Sequence, residues 1–331
     1  MPMSTSKLPT RRVAMQSLAG FAAAAATRAR AQATAFPERA VRIIPFGSAG
    51  GPIDGIARAY ADKLKARWGQ PVLVETKPGA SGVIAADFVA KASPDGHTLL
   101  LTLPLTQINV AVLNPKLPYD PQRDFAPIAG IGAGSPLLLA RADAPFSDVK
   151  EFVAFAKAKP GTSYGTWGIG SGAHLYGELL KRQAGIEVIH VPYKDAGYYN
   201  DLFGGLLAVT WSNPGTARGH VQAGKVKVLG VAGSRRMSLF PQVPTFAEQG
   251  FSGFDVESWV GVFAPAKTPP ATLAKLTAAW RELTALPDLR AMLLDRGFDP
   301  VDSGPAELAQ QIRSDTPKIA ELIKAAGVTA E

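Results

Sequence analysis

The pentapeptide Gly161-Thr162-Ser163-Tyr164-Gly165 has the G-x-S-x-G spacing of a nucleophile elbow, and Asp195 and His220 follow it in the order an α/β-hydrolase uses. That chemistry needs the serine on a sharp turn between strand and helix, where its hydroxyl stands free and the next amide faces the oxyanion. Here the serine opens a strand behind the turn Lys159-Pro160-Gly161, which favours ordinary turn glycines. An exported α/β-hydrolase using Ser163 is kept as the alternative. His97, His174, His190 and His220 show neither H-E-x-x-H nor any close ligand spacing, and no calcium-loop set of carboxylates is present, so neither a metal nor a cofactor is expected. No nucleophile, base and orienting group form a coherent set. Reversible binding explains the polar loops more economically than catalysis.

Three glycine- and serine-rich loops carry that binding reading: Gly47-Ser48-Ala49-Gly50-Gly51, Pro78-Gly79-Ala80-Ser81-Gly82 and Gly168-Ile169-Gly170-Ser171-Gly172. The third lacks the sixth-position glycine of a dinucleotide loop and the Gly-Lys-Ser/Thr ending of a nucleotide loop. What survives is a hydroxyl and free amides ahead of a helix, a ready anion site, although a simple helix start needs the same residue types. His174 lies in the first turn beside that loop, whereas His190 reads as strand packing or a hydrogen bond between domains, and His97 and His220 as exposed or structural. Lys194, just past the strand ending His190-Val191, could pair with a carboxylate or be neutralised by Asp195. Asn213 offers an amide to ligand or caps the helix beginning at Pro214.

The elements that must hold these loops alternate strand and helix. Val41 to Phe46 is a buried-strand candidate, followed by a helix with Gly51 as cap, Pro52 as first residue and Asp54 in the first turn. Ile53, Ile56, Ala57, Tyr60, Leu64 and Trp68 form one apolar stripe until Gly69 and Pro71 end the helix. Val72 to Glu75, a helix ending near Lys91 and a strand from His97 to Thr102 complete the pattern of a largely parallel sheet, with two loops at the edge where open α/β sheets bind ligands. A second domain opens after Ile131, with strands at Pro136 to Ala140, Ser163 to Thr166, Ile186 to Val191, Leu206 to Trp211 and Lys225 to Val231. Helices fall between them at Ser147 to Lys159, Ala173 to Ala184, Gly197 to Phe203 and Pro214 to Ala223. Thr245 and Glu248 make a capping box, Glu257 to Phe263 is extended, and the helices from Pro269 could return to the first domain.

The 331 residues are 47% apolar and 19% charged, which suits a two-domain globular protein and excludes a disordered, collagen-like or coiled-coil chain. With no cysteine, disulfides, thiolate metal centres and thiol catalysis are excluded. The formal charge of +8 suggests nucleic acid, but Lys7, Arg11, Arg12, Arg28 and Arg30 lie in the first 33 residues with no acidic residue among them. The remainder holds 30 basic and 27 acidic residues, and no nucleic-acid partner is expected. Those 33 residues combine a basic start, a mildly apolar run from Val13 to Ala26 too short for a membrane span, and Ala31 and Ala33 spaced as at a cleavage site. They read as an export signal cut after about Ala33, with paired arginines favouring the twin-arginine route; a basic cytoplasmic N-terminus is the alternative.

In order and spacing, Ile43-Ile44-Pro45-Phe46 with Gly50-Gly51-Pro52-Ile53-Asp54, Pro78-Gly79-Ala80-Ser81-Gly82, Ser93-Pro94-Asp95-Gly96-His97, His190-Val191-Pro192-Tyr193-Lys194, Val243-Pro244-Thr245 and Ser258-Trp259 resemble one family. It is the extracytoplasmic solute-binding receptors of the tripartite tricarboxylate transporters, the Bug proteins. The resemblance covers essentially the whole chain after Arg39. It implies a periplasmic, monomeric Venus flytrap of the type II periplasmic-binding-protein kind, with two α/β lobes joined by a hinge: residues 34–131 with 253–331, and residues 132–252. The implied partners are a small organic carboxylate and a tripartite tricarboxylate-type membrane transporter or a sensor. Carried over, the loop after Phe46 and the loop around Ser171 hold a carboxylate from opposite lobes. The implied contacts are Phe46, Ser48, Ala49, Gly50, Gly51, Asp54, Ser81, Thr102 and Thr106 on one side. On the other they are Thr166, Gly170, Ser171, His174, Lys194, Asp195, Tyr198 and Asn213. Asp54 suits helix-end electrostatics and loop order, since a carboxylate repels a carboxylate. The chain departs from the family at Asp195-Ala196-Gly197-Tyr198-Tyr199, at Ala208 and at Ser212. Tyr198 and Tyr199 either pack an apolar part of the ligand or cover the helix surface, and the sequence does not choose among dicarboxylates, aromatic acids and amino acids.

Overall fold

The computed structural model describes residues 36–193 and 197–329, and residues 39–331 form one compact unit. The expected export signal lies outside the described residues. Strand β1 (Val41–Pro45) pairs in parallel with β2 (Val72–Val74) and β3 (Thr98–Thr102). Leu99, Leu100 and Leu101 are all fully buried, the continuous apolar run of a strand covered on both faces. Helix α1 (Pro52–Trp68) turns Ile53, Ile56, Ala57, Tyr60 and Leu64 inward, and Gly69, at φ 65°, ends it by donating its N–H to the Lys65 carbonyl.

The sheet is mixed rather than largely parallel. Its order is β11-β4-β10-β3-β1-β2, with β4 (Phe125–Gly134), β10 (Ser258–Pro265) and β11 (Asp299–Ser303) running antiparallel to their neighbours. Two of these strands hide from pattern reading. β4 reads FAPIAGIGAG, poor in the β-branched residues that mark strands, because its glycines make room for other side chains. A Cβ on Gly132 would lie 3.0 Å from the Cβ of Phe298, and one on Gly134 would lie 2.9 Å from the Phe298 ring. β11 carries Pro300, tolerated because β11 lies at the sheet edge. Helix α8 (Pro270–Thr284) anchors to α1, where Tyr60 stacks on Trp280 at 4.7 Å and its hydroxyl bonds the Thr284 hydroxyl at 2.8 Å.

The second sheet, in order β7-β6-β8-β5-β9, is built from β5 (Leu137–Arg141), β6 (Thr162–Thr166), β7 (Val188–Pro192), β8 (Val209–Ser212) and β9 (Val226–Val231). The chain leaves the first sheet after Gly134, three residues past the expected boundary, and rejoins it at Ser258. Trp211, Phe246 and Phe254 stack in succession, with centroids 5.4 and 4.4 Å apart, under helix α5 (Gly172–Ala184). The capping box is present: the Thr245 amide donates to Glu248 at 2.7 Å, and the Glu248 amide to the Thr245 hydroxyl at 3.1 Å. The last helix, α10 (Pro305–Ala326), packs on both β4 and α5, so its buried Ile319 and Leu322 tie the two sheets together. Among the described residues no helix is long and apolar enough to cross a membrane.

Candidate functional site

Parallel strands β1, β2, β3, β6 and β7 send their C-terminal loops toward one cavity of about 750 Å³, lined from both sheets. Phe46, Gly47 and Ser48 follow β1, Pro78 to Gly82 follow β2, and Leu103, Pro104, Leu105 and Asn109 follow β3. From the second sheet come Trp167, Gly168, Ile169, Ser171, Gly172, Leu175, Tyr176 and Tyr193, while Pro136 and Val256 to Ser258 lie where the chain crosses between sheets.

Hydroxyls and amides in this cavity are left available. Among the described residues nothing accepts the backbone N–H of Gly47 or Ser48, and nothing engages the hydroxyls of Ser48 and Ser81. Gly172 and Ala173, the first residues of the 13-residue helix α5, likewise have unpartnered amides at the positive end of the helix dipole. The β2 loop is held in an uncommon shape, with φ of 121°, 47°, 53° and 88° at Gly79, Ala80, Ser81 and Gly82. Each left-handed non-glycine residue costs roughly 1–2 kcal/mol, so packing must impose the conformation. Gly82 shows how close that packing is: a Cβ there would lie 2.5 Å from Thr106 Cγ2 and 3.0 Å from the Phe46 ring.

The other wall is fixed by a lattice of hydrogen bonds. Ser171 caps α5, accepting from the His174 amide at 3.2 Å while its hydroxyl donates to the Gly168 carbonyl at 2.6 Å. The Gly170 amide donates to His174 Nδ1 at 3.2 Å, which fixes that nitrogen as an acceptor. His174 stacks on His190 at 4.0 Å, and His190 Nε2 meets the Thr166 hydroxyl at 2.6 Å. Burial first, then the adjoining His174 imidazole, beside which a second ring charge would be repelled, and the Lys181 charge push the His190 pKa down to about 3. From the first sheet, Asn109 Nδ2 donates across the cavity to the Gly170 carbonyl at 3.1 Å. Asn109 belongs to a single π turn, Leu105–Asn109.

Of the residues expected at the site, Phe46, Ser48, Ser81 and Ser171 line the cavity. Thr102 and Thr106 lie beneath it, fully buried and bonded hydroxyl to hydroxyl; Thr166, Gly170 and His174 hold the second wall without lining it. Asp54 is turned into its own loop, where its Oδ2 accepts from the Gly50 amide at 2.9 Å and from Arg58 Nε at 3.0 Å. Burial opposes its ionisation, but these two donors and the Arg58 and Arg296 charges outweigh that and hold its pKa below the ordinary carboxylate value. Gly50 is therefore committed to Asp54, and Ala49 and Gly51 are not among the lining residues. Gly50, at φ 78°, is the left-handed residue of this turn, whereas Gly51 is extended at −71°.

Tyr198 is 5% exposed inside the second sheet's core against Leu137, Leu139 and Tyr199, because the helix Tyr198–Phe203 turns its aromatic face to the sheet. Asn213 caps the next helix, Pro214–Gln222, accepting from the Gly215 amide at 2.8 Å. Lys194 and Asp195 lie outside the described residues. Ser163 sits inside β6, paired with Ile189 rather than on a turn, and His220 lies against Tyr199 with ring centroids 4.2 Å apart. No metal-holding cluster occurs among the described residues.

Sequence reasoning missed Trp167, Asn109, Pro104, Leu105 and Glu257. The signal for Trp167 was present, since a large aromatic directly after a parallel strand and before a Gly/Ser loop has a sheet-edge address. Asn109 carried none, because only the π turn aims it at Gly170.

The protein of the tcbD-tcbE intergenic region of Pseudomonas sp. strain P51 is 35% identical over 312 residues, 92% of either chain. The adipate-bound protein Rpa4515 of R. palustris superposes with a TM-score of 0.83 at 28% identity, covering 89% of this chain and all of its own. MatC from Rhodopseudomonas palustris, with bound malate, gives 0.78 at 33% identity over 87% of this chain and all of its own. The fold is that of the type II periplasmic-binding proteins, two α/β lobes around a cleft. Residues 56–328 match the tripartite tricarboxylate transporter family receptors, and the chain belongs to that family.

Proposed function

We propose that this protein is an extracytoplasmic receptor that binds a small carboxylate-bearing solute reversibly, for uptake or sensing, and performs no chemical turnover. The observation that carries this reading is the pairing of unpartnered amides and hydroxyls at Gly47 and Ser48 with the open N-terminus of α5 across one cavity. Hydrogen bonds to a charged acceptor contribute roughly 1.5–3 kcal/mol each, so a few such donors hold a carboxylate without a buried arginine. Relatives that hold adipate and malate support the same chemistry. In this reading Ser48 and Ser81 act from one lobe and the Ser171 loop from the other, and Thr102, Thr106, Thr166, Gly170 and His174 shape those loops. Lys194 and Asp195 remain candidates beside Tyr193.

The lobes close by bending at the two crossings near Pro136 and Glu257, which floor the cavity. Residues 1–33 direct twin-arginine export to the periplasm, and the mature monomer hands its solute to a membrane transporter of the tripartite tricarboxylate type. Calorimetric titration of the mature protein, stripped of copurified solute, against a panel of organic acids tests the central claim. Binding of at least one carboxylate, lost when the carboxylate is replaced by its amide, is expected. Failure of the whole panel would refute it.

A further inference from the structure

Trp167 differs from the three buried tryptophans. Trp211 stacks between Tyr176 and Phe246, Trp280 lies on Tyr60, and Trp259 packs on Phe263 while its indole N–H reaches Asp315. Trp167 lines the cavity at 37% exposure, and among the described residues it has neither a ring partner nor a hydrogen bond. An aromatic side chain left bare on a cavity wall is a binding platform when its backbone is rigid, because little ordering is then needed to cover it. That rigidity is present. The next residue, Gly168, donates its amide to the Thr166 hydroxyl at 3.2 Å and accepts from the Ser171 hydroxyl at 2.6 Å, and Gly170 is clamped from the other sheet by Asn109.

The remaining chemistry of the cavity fits a ring better than a second carboxylate. Pro104 and Leu105, together with Phe46, present apolar surface from the first sheet. Glu257 brings a carboxylate into the lining, held by the Ser234 hydroxyl at 2.6 Å; Arg235 stands 3.7 Å from it but pairs more closely with Asp299 at 2.7 Å, so Glu257 is only partly neutralised and an anionic far end of a ligand meets like charge there.

Resting on the carboxylate reading above, we propose that the solute is an aromatic carboxylate whose ring lies on the Trp167 indole while its carboxylate meets the donors of the Ser48 and Ser171 loops. Tyr198, the aromatic residue singled out by sequence, is replaced in that role by Trp167.

The test uses the full mature chain, freed of copurified solute, titrated calorimetrically with benzoate and 1-naphthoate and with adipate and malate. The aromatic acids bind at least tenfold more tightly, and they quench tryptophan fluorescence. Trp167→Ala weakens the aromatic acids by about 10- to 100-fold, the range expected from aromatic stacking, and changes adipate and malate by less than about threefold. Trp167→Phe recovers most of the aromatic affinity. Tighter binding of the aliphatic acids, or an equal loss for both classes in Trp167→Ala, would overturn the aromatic assignment while leaving a carboxylate receptor intact. Failure of all four acids and of the wider organic-acid panel would instead overturn the carboxylate reading, and this inference with it.

Discussion

Removing the Asp54 carboxylate separates a loop-ordering role from a ligand-binding one. Its side chain is 3% exposed, and Oδ2 accepts from the Gly50 amide and Arg58 Nε at 2.9 and 3.0 Å. The Gly50 bond is a charge-assisted bond at a buried atom, worth roughly 1.5–3 kcal/mol. The position in the first turn of α1 adds about 0.3–1 kcal/mol from the helix dipole. The Arg58 side chain is 56% exposed, so its pairing adds little after solvent screening. Asp54→Ala should therefore cost about 2–4 kcal/mol, a fall in Tm of roughly 3–6 °C for a protein of this size. Asp54→Asn keeps an acceptor for Gly50 and should cost about half as much. The folded pKa lies below the ordinary value of 3.8, so the stabilisation is complete above that pH and fades as pH falls through the folded pKa. Thermal unfolding should show a wild-type advantage over Asp54→Asn at pH 7 that shrinks as the pH is lowered below 3.8. If Asp54→Asn keeps the wild-type Tm at pH 7 yet loses the solute, the carboxylate contacts ligand and the loop-ordering argument fails.

Gly82→Ala forces a side chain at φ 88° to within 2.5 Å of Thr106 and 3.0 Å of Phe46, so urea unfolding should show a loss of about 2–4 kcal/mol; a loss below about 1 kcal/mol would mean that the loop relaxes freely. His190 is held neutral to about pH 3 when folded, whereas an unfolded imidazole protonates near 6.5. Wild-type stability should thus decline as pH drops from about 6.5 toward 3, and His190→Gln should flatten that slope, as pH-resolved unfolding will report. Asn109→Ala removes the bridge to Gly170, and the loss of about 1 kcal/mol should weaken solute binding about fivefold in calorimetry with little change in Tm; unchanged affinity would remove the bridge from the closed state.

Where burial is one-sided and the helix ends are marked, the chain was readable. α1 is the clearest case: Gly51, Pro52, Asp54, the apolar stripe and Gly69 all sit where capping chemistry puts them, with only Trp68 half-buried at the end. The second lobe's strands and helices fell within a few residues of their positions for the same reason. β4 and β11 escaped because their sequences answer to a neighbour rather than to the strand. The glycines of β4 leave space for Phe298 and Ser303, and that constraint comes from residues more than 160 positions away.

The site was less legible, and the reason is physical. A serine, a glycine turn and a free amide are what a helix start requires and also what an anion requires. Ser171 does both in one residue, capping α5 while lining the cavity. Ser48 caps nothing among the described residues, and its hydroxyl stays open. Asp54 and Asn213 resolve the same ambiguity the other way: each turns an oxygen back onto an amide of its own loop or helix end, and neither lines the cavity. Tyr198 and Trp167 make the parallel case for aromatics. Both follow a strand of the second sheet at its C-terminal edge, but Tyr198 begins a helix that must bury one face, whereas Trp167 sits in a loop whose glycines lift it off the core. Burial follows from the element that a residue joins, so position along the strand edge selects the candidates and the local hydrogen bonds decide which of them face the cavity.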